Sequence, residues 1–311
     1  MDEACRIYVA GHAGLTGSAI VKRLKAEGFR DIVCRRHAEL DLTDAGQVDR
    51  FFGGQHPDFV FLCAAKVGGI LANNTYPADF IRVNLLIQTN VIDACFRHGV
   101  KKLLFLGSSC IYPRLAPQPM KEEYLLTGPL EGTNDAYAVA KIAGIKMVQA
   151  YRRQHGFKGI SLMPTNLYGP GDNFDPVNSH VLPGLLRRFH EARVAGVPAV
   201  TVWGTGRVRR EFLHADDLAD AAVFLMDRYD SDEIINVGVG EDLTIAELAD
   251  TIRDVVGYRG RIEYDSSKPD GTPRKLLDVS KLHGLGWRAR VSLRDGLRTT
   301  YAWYLENVAR G

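Results

Sequence analysis

Short apolar runs punctuate the first half of the chain: RIYVAG from Arg6, DIVC from Asp31, FVFLCAA from Phe59 and KLLFLGS from Lys102. Between them lie stretches whose apolar residues recur at helical spacing, namely SAIVKRLKAEG from Ser18, DAGQVDRFFGG from Asp44 and FIRVNLLIQTNVIDACFRHG from Phe80. The first kind reads as strands, the second as amphipathic helices, and Gly28 is a stop signal for the first helix. Continuous apolar strands separated by helices predict a parallel sheet covered on both faces. Right-handed crossovers then make that sheet doubly wound. Ligands of such sheets bind beyond the carboxyl ends of the strands. Gly11, Arg35, Ala64, Ser108 and Thr165 stand at those predicted ends.

The second half is less regular. PTNLYGPGDNFDPVNSHVLPG, from Pro164 to Gly184, is dense in Pro and Gly and is expected as a long loop. A helix is expected from Leu185, followed by a strand in AVTVWG. EFLHADDLADAAVFLMDR reads as a helix, and it and the AVTVWG strand are both expected near the substrate side. EIINVGVG is a late strand, and TIAELADTIRDVVG the helix after it. No repeat and no low-complexity linker interrupts the chain. The predicted fold class is therefore α/β: a doubly wound, Rossmann-type parallel sheet with a smaller, interleaved C-terminal lobe. Residues 1–172 are expected mainly in the sheet domain and 173–311 mainly in the second lobe, with about 205–240 returning to the sheet.

A length of 311 residues, 46% hydrophobic and 24% charged, allows a large core and is ordinary for a globular protein. The net charge of +2 argues against a chain-wide field for nucleic acid or membranes. Cys5, Cys34, Cys63, Cys95 and Cys110 are odd in number and form no C-x-x-C pair. Neither a disulfide framework nor a metal site is indicated, so a reducing cytoplasm is expected. The start MDEACRIYVAG enters a strand at once and lacks the pattern of a signal peptide. No apolar run reaches membrane-spanning length.

AGHAGLTG places Gly11, Gly14 and Gly17 between a strand and a helix. Glycines there allow a tight turn and close backbone approach, and the helix N-terminus offers free N–H groups to a pyrophosphate. The alternative is a plain strand–helix turn. At the end of the second strand, where an acid would hold a ribose 2′-hydroxyl, Arg35 and Arg36 stand instead. Guanidinium groups suit a 2′-phosphate, which favours NADP(H); otherwise they simply solvate a loop. Asp41 falls further on, toward the adenine side. Tyr137 and Lys141 in YAVAK share one helix face. The ammonium is expected to lower the phenol pKa, so that the phenol exchanges a proton with a carbonyl oxygen while hydride moves at carbon. A lone Tyr-x-x-x-Lys more often marks a surface helix. The strand-end Ser108, able to bond the same carbonyl, changes that balance.

Together these features resemble the extended branch of the short-chain dehydrogenase/reductase superfamily. The segments AAKVGGI, NNTYPADFI, LLFLGSSCIYP, PTNLYGP, HVLPGLLRRFHEA, VWGTG, REFLHADDLA and KPDGTPRKLLDVS resemble, within it, the GDP-L-fucose synthase family, from Arg6 to about Glu306. That resemblance implies NADPH-dependent 3,5-epimerisation and 4-reduction of GDP-4-keto-6-deoxy-D-mannose, with neither nucleic acid nor membrane as partner, and a homodimer. It implies Ser108, Tyr137 and Lys141 as the reductase residues, Cys110 as the base of the epimerisation and His180 as its acid. Taken alone, a cysteine is most often a small buried filler and a loop histidine structural. The cofactor segments carried over are the turn Gly11, His12, Ala13, Gly14, Leu15, Thr16 and Gly17, and the stretch from His37 to Leu42. Leu106, Gly107, Ser108 and Ser109 follow, then Pro164, Thr165, Asn166 and Leu167, and His180. KVGGI, from Lys66 to Ile70, is expected to border the nicotinamide side. Arg188, Trp203, Arg210 and Asp270 match nucleotide-sugar contacts. Lys275 is a weaker match for a phosphate, and Arg187 falls on the solvent side of its helix. One departure is Ala13, where family members often carry an arginine for the 2′-phosphate; Arg35, Arg36 or His37 has to take that part. The alternatives are another nucleotide-sugar epimerase or dehydratase of the superfamily with tightly bound NAD, and a cofactor-sensing protein without turnover.

Overall fold

The computed structural model describes residues 1–309 apart from Val177 and Pro269. The first half runs β1 (Ile7–Ala10), α1 (Leu15–Ala26), β2 (Ile32–Val33), α2 (Ala45–Gln55), β3 (Phe59–Leu62), α3 (Ile70–Thr75), α4 (Pro77–Arg97), β4 (Lys102–Leu106), α5 (Asp135–His155) and β5 (Gly159–Pro164). It continues with β6 (Asn166–Tyr168), α6 (Val181–Ala195), β7 (Ala199–Trp203), β8 (Arg209–Arg210), β9 (Phe212–His214), α7 (Ala215–Arg228) and β10 (Ile235–Val237). The last segment holds β11 (Leu243–Thr244), α8 (Ile245–Val256), β12 (Arg261–Asp265), β13 (Arg274–Lys275), α9 (Ser280–Gly284) and α10 (Leu293–Asn307).

The central sheet is parallel throughout, in the order β10-β5-β4-β3-β1-β2. Both of its faces are covered, which is why its strands read as unbroken apolar runs. On one face Val48 and Phe52 of α2, Val91 and Ile92 of α4, and Ile145 and Val148 of α5 close over the sheet. On the other, Ile20 and Leu24 of α1 meet Leu218, Ala222 and Leu225 of α7. Each such fully buried Val, Leu, Ile or Phe side chain contributes about 1.5–3 kcal/mol of transfer free energy. Gly144 lets α5 lie close: a Cβ there would stand 2.5 Å from the Phe105 ring and 2.8 Å from Gln88. Tyr137 and Lys141 are thereby held against the end of β4. The buried Lys102, at the start of β4, donates to Met226 O at 2.5 Å and Tyr229 O at 2.7 Å. It thus satisfies carbonyls at the C-terminal end of α7 that the helix cannot.

A third apolar cluster joins Leu185 and Phe189 of α6, Leu248 and Ile252 of α8, and Leu297 and Tyr301 of α10 around β7. Three expectations need correction here. The helix predicted from Leu185 begins at Val181, with His180 as its N-cap. Pro183 falls in the first turn, where its missing N–H has no intrahelical acceptor to lose. The stretch from Pro164 is not all loop, because Asn166–Tyr168 pairs with Phe212–His214 in a two-stranded parallel sheet. The helix of ADDLADAAVFLMDR does not lie on the substrate side; its apolar face packs with α1 against the central sheet. AVTVWG is a strand as expected but pairs only with β12, outside that sheet.

Candidate active site

A cleft of about 2610 Å³ opens at the carboxyl edge of the central sheet. Gly11, Arg35, Ala64, Ser108 and Thr165, the residues at the predicted strand ends, all line it. The edge gathers them because every strand of the sheet points the same way.

At one end lies the glycine turn. Gly11 has φ +84°, and a Cβ on it would stand 2.8 Å from the Ala64 backbone; one on Gly17 would stand 2.2 Å from Gly11 O. Only glycine permits this contact of turn, helix and neighbouring strand. Gly14 is the N-cap of α1, with no side-chain cap and no acid in the first turn. The positive end of the helix is left for an external anion. His12 keeps a buried, unpartnered Nδ1 in the same turn. His12, Ala13, Leu15 and Thr16 line the cleft too. These features fit a dinucleotide pyrophosphate.

Arg35, Arg36, His37, Asp41 and Leu42 continue the wall. Arg35 is committed locally: its Nη1 donates to Cys34 O at 2.8 Å and its guanidinium lies 5.8 Å from the Phe51 ring centroid. Arg36 is exposed, and its backbone N–H donates to Glu39 Oε2 at 2.7 Å. Asp41 Oδ1 accepts from Thr43 N and Oγ1, both at 2.8 Å, and these bonds hold its carboxyl below the usual range.

At the centre stand Ser108, Tyr137 and Lys141. Lys141 Nζ donates to Leu106 O at 2.8 Å and lies 4.9 Å from the Phe105 ring and 5.8 Å from the Tyr137 ring. The expected lowering of the phenol by the ammonium is not what this site does. Burial, reinforced by Cys110, pushes the Tyr137 phenol well up, against a smaller downward pull from Ser108. Burial also brings Lys141 down to about 8. Desolvation outweighs the pair interaction because both groups sit deep in the protein. A phenol that keeps its proton at neutral pH is suited to giving one to a carbonyl oxygen.

Cys110 lies on a short 3₁₀ turn, Ser109–Ile111, whose N-cap is Ser108; the Ser108 Oγ accepts the Cys110 N–H at 3.2 Å. Its sulfur faces two donors, Asn134 Nδ2 at 3.7 Å and Lys275 Nζ at 3.9 Å. His180 lines the same cleft, and loss of hydration there lowers its imidazole. Leu106, Gly107, Ser109, Pro164, Asn166 and Leu167 complete the central wall. Lys66, Val67, Gly68 and Gly69 also border it, with Gly69 N donating to Asn178 O at 3.4 Å beside the His180 loop.

The outer wall carries Arg188, Trp203, Arg210 and Asp270. Arg188 lies 5.5 Å from the Trp203 ring centroid and Lys268 5.8 Å from it. Trp203 is 63% exposed, a flat apolar face in the open cleft. Thr205 N and Oγ1 hold the Asp270 carboxylate at 2.7 and 2.8 Å and keep it ionised. Arg187 also borders the cleft, but it is tied to Glu191 at 2.6 Å and to Phe174 O at 3.0 Å. Sequence reasoning missed Asn134, which is the N-cap of α5 three residues before Tyr137. It also missed Asp172, whose cleft-lining carboxyl burial pushes up to about 7.

Taken with the sheet, this geometry defines a class: nicotinamide-dependent enzymes of the extended short-chain dehydrogenase/reductase type, acting beside a carbonyl. Residues 7–238 match the model of the NAD dependent epimerase/dehydratase family, and the chain belongs to that family. It is 64% identical over 307 residues to GDP-L-fucose synthase 1 of Arabidopsis thaliana, covering 99% of this chain and 95% of that one. It is 56% identical to GDP-L-fucose synthase of Escherichia coli (strain K12), covering 98% of each. The crystal structure of a GDP-L-fucose synthetase from Naegleria fowleri bound to NADP superposes with a TM-score of 0.92 at 30% identity, covering 99% of this chain and 96% of that one.

Proposed function

We propose that this protein converts GDP-4-keto-6-deoxy-D-mannose to GDP-L-fucose, inverting C3 and C5 and reducing C4 with NADPH. The observation that carries the reading is that Cys110 and His180 line the same cleft as Ser108, Tyr137 and Lys141. A simple reductase needs only the last three. Two further proton-handling groups are what inversion beside a ketone requires. The names and high identity of the relatives support the same conclusion.

Protons on C3 and C5 are acidic because the carbanion left behind is an enolate of the C4 ketone. Cys110 takes such a proton from one face and His180 returns one to the other, so each C–H broken is matched by a C–H formed with inverted hand. Tyr137, with Ser108, bonds the C4 oxygen, and the phenol proton passes to it as the alcohol forms. NADPH, when bound, supplies the hydride that C4 accepts. The glycine turn and Lys141 hold the cofactor, with Arg36 at its 2′-phosphate. Arg188, Trp203, Arg210 and Asp270 hold the GDP moiety, through a flat ring for the base and guanidinium groups for phosphate oxygens.

We assign residues 1–172 mainly to cofactor binding and 173–311 mainly to the nucleotide sugar. A homodimer is consistent with Leu86 on α4 and Val139 on α5, large apolar side chains left exposed. A cytoplasmic setting is consistent with five free cysteines. Among the described residues no helix is long and apolar enough to cross a membrane. The test is stoichiometric. Incubation with the keto-sugar should consume one NADPH per GDP-L-fucose formed. Turnover with retained NAD and no net oxidation would instead indicate an epimerase or dehydratase.

A further inference from the structure

Cys110 receives the Lys275 ammonium at 3.9 Å and the Asn134 amide at 3.7 Å. Lys275 lies on β13, in register with Arg210 of β8. The chain just after it is pinned. Leu276 N donates to Gln118 Oε1 at 2.9 Å, Leu277 N donates to the buried Glu211 Oε2 at 3.0 Å, and Met120 N donates to Leu276 O at 2.7 Å. Gln118 and Met120 belong to the segment that follows Cys110 itself. The strand bearing the ammonium is thus fastened, by one backbone bond and by side-chain acceptors, to the segment that follows the sulfur's turn and to Glu211.

We propose that Lys275 is the counter-charge that holds Cys110 as a thiolate, a positioning residue for the epimerisation that acts through the sulfur. The proposal rests on the assignment of Cys110 as the base. A thiolate, not a thiol, accepts a carbon-bound proton, and a neighbouring cation favours the thiolate. Lys275 keeps its own protons throughout: one C–H bond breaks on the sugar, one S–H bond forms on Cys110, and the electron pair stays on the enolate. Asn134 adds a neutral donor fixed at the start of the helix that carries Tyr137. An ammonium beside Arg210 could instead serve a substrate diphosphate, so the experiment leaves substrate out.

The rate of Cys110 alkylation by iodoacetamide at pH 7 is followed by peptide mass spectrometry on the full-length protein. Lys275→Met should slow it about tenfold or more, and Lys275→Arg should hold it within about threefold. Cys5, remote from the contact, should react alike in all three. An unchanged Cys110 rate in Lys275→Met overturns the proposal and leaves the lysine to the diphosphate. Where Lys275→Met fails to fold, Lys275→Gln carries the same comparison. A slowed rate in Lys275→Met, together with no exchange at C3 or C5 of the keto-sugar by the wild-type protein, would sink the functional reading while leaving the contact standing.

Discussion

Lys141 and Cys110 line one cleft but are held by different means. Lys141 is carried by α5, a helix of 21 residues packed on the central sheet, and its ammonium is bonded to the last carbonyl of β4. Cys110 stands on a three-residue turn, and its partners come from the start of α5 and from a two-residue strand. The helix that carries Tyr137 and Lys141 is thus preorganised by the sheet. The wall that faces the sugar is assembled from short elements tied by side-chain bonds. On the proposed function, the difference teaches where each half of the chemistry would reside: proton delivery to oxygen with a desolvated phenol, proton exchange at carbon with an outer ring of donors. Loss of one half should leave the other in place.

The sharpest way to separate the halves is Tyr137→Phe. Removing the proton donor should cut C4 reduction by about 10²–10⁴-fold, while deuterium exchange at C3 and C5 in D₂O continues near the wild-type rate. Loss of both activities in that variant would break the comparison.

A second test uses the lowered Lys141 pKa. The ammonium is present below about pH 8 and lost above it. If it holds the cofactor, kcat/KM for reduction should fall roughly tenfold per pH unit above that value, and Lys141→Arg should remove that limb. Stability should move the other way. The unfolded chain binds the lysine proton more tightly than the folded one, so this group's contribution rises with pH from about 8 toward the ordinary lysine value. Thermal melts of wild type and Lys141→Met across that range measure it; wild type should gain stability relative to the variant as pH increases.

The smallest expected effect is at the cofactor rim. With Arg35 committed to Cys34 O and Phe51, Arg36 is the guanidinium left for a 2′-phosphate. Arg36→Ala should lower the NADPH-over-NADH preference by about tenfold, read as a ratio of kcat/KM values. An unchanged ratio would move that role to His37 or the turn.

Much of the inner half was legible in the sequence, because buried parallel strands write themselves as unbroken apolar runs and their ends fall on one edge. Gly11, Ser108 and Thr165 could be placed from that rule alone. The phenol could not: spacing puts Tyr137 and Lys141 on one face, but only packing shows that desolvation of both outweighs their attraction. The start of α6 was hidden because Pro183 reads as a breaker unless the turn it occupies is known. The donors on Cys110 were hidden by distance along the chain, 24 residues for Asn134 and 165 for Lys275. No periodic pattern reports a contact of that kind. The roles of Cys110 and His180 came from resemblance, since a lone thiol and a loop imidazole carry no signal of their own.

The most direct measurement is proton exchange by Cys110→Ser in D₂O, with GDP-4-keto-6-deoxy-D-mannose and NADPH, read by NMR of the recovered sugar. Deuterium should enter C3 and C5 at the wild-type enzyme's hands and be nearly absent with the variant, which still binds NADPH. Wild-type levels of deuterium at both carbons in Cys110→Ser would contradict the account.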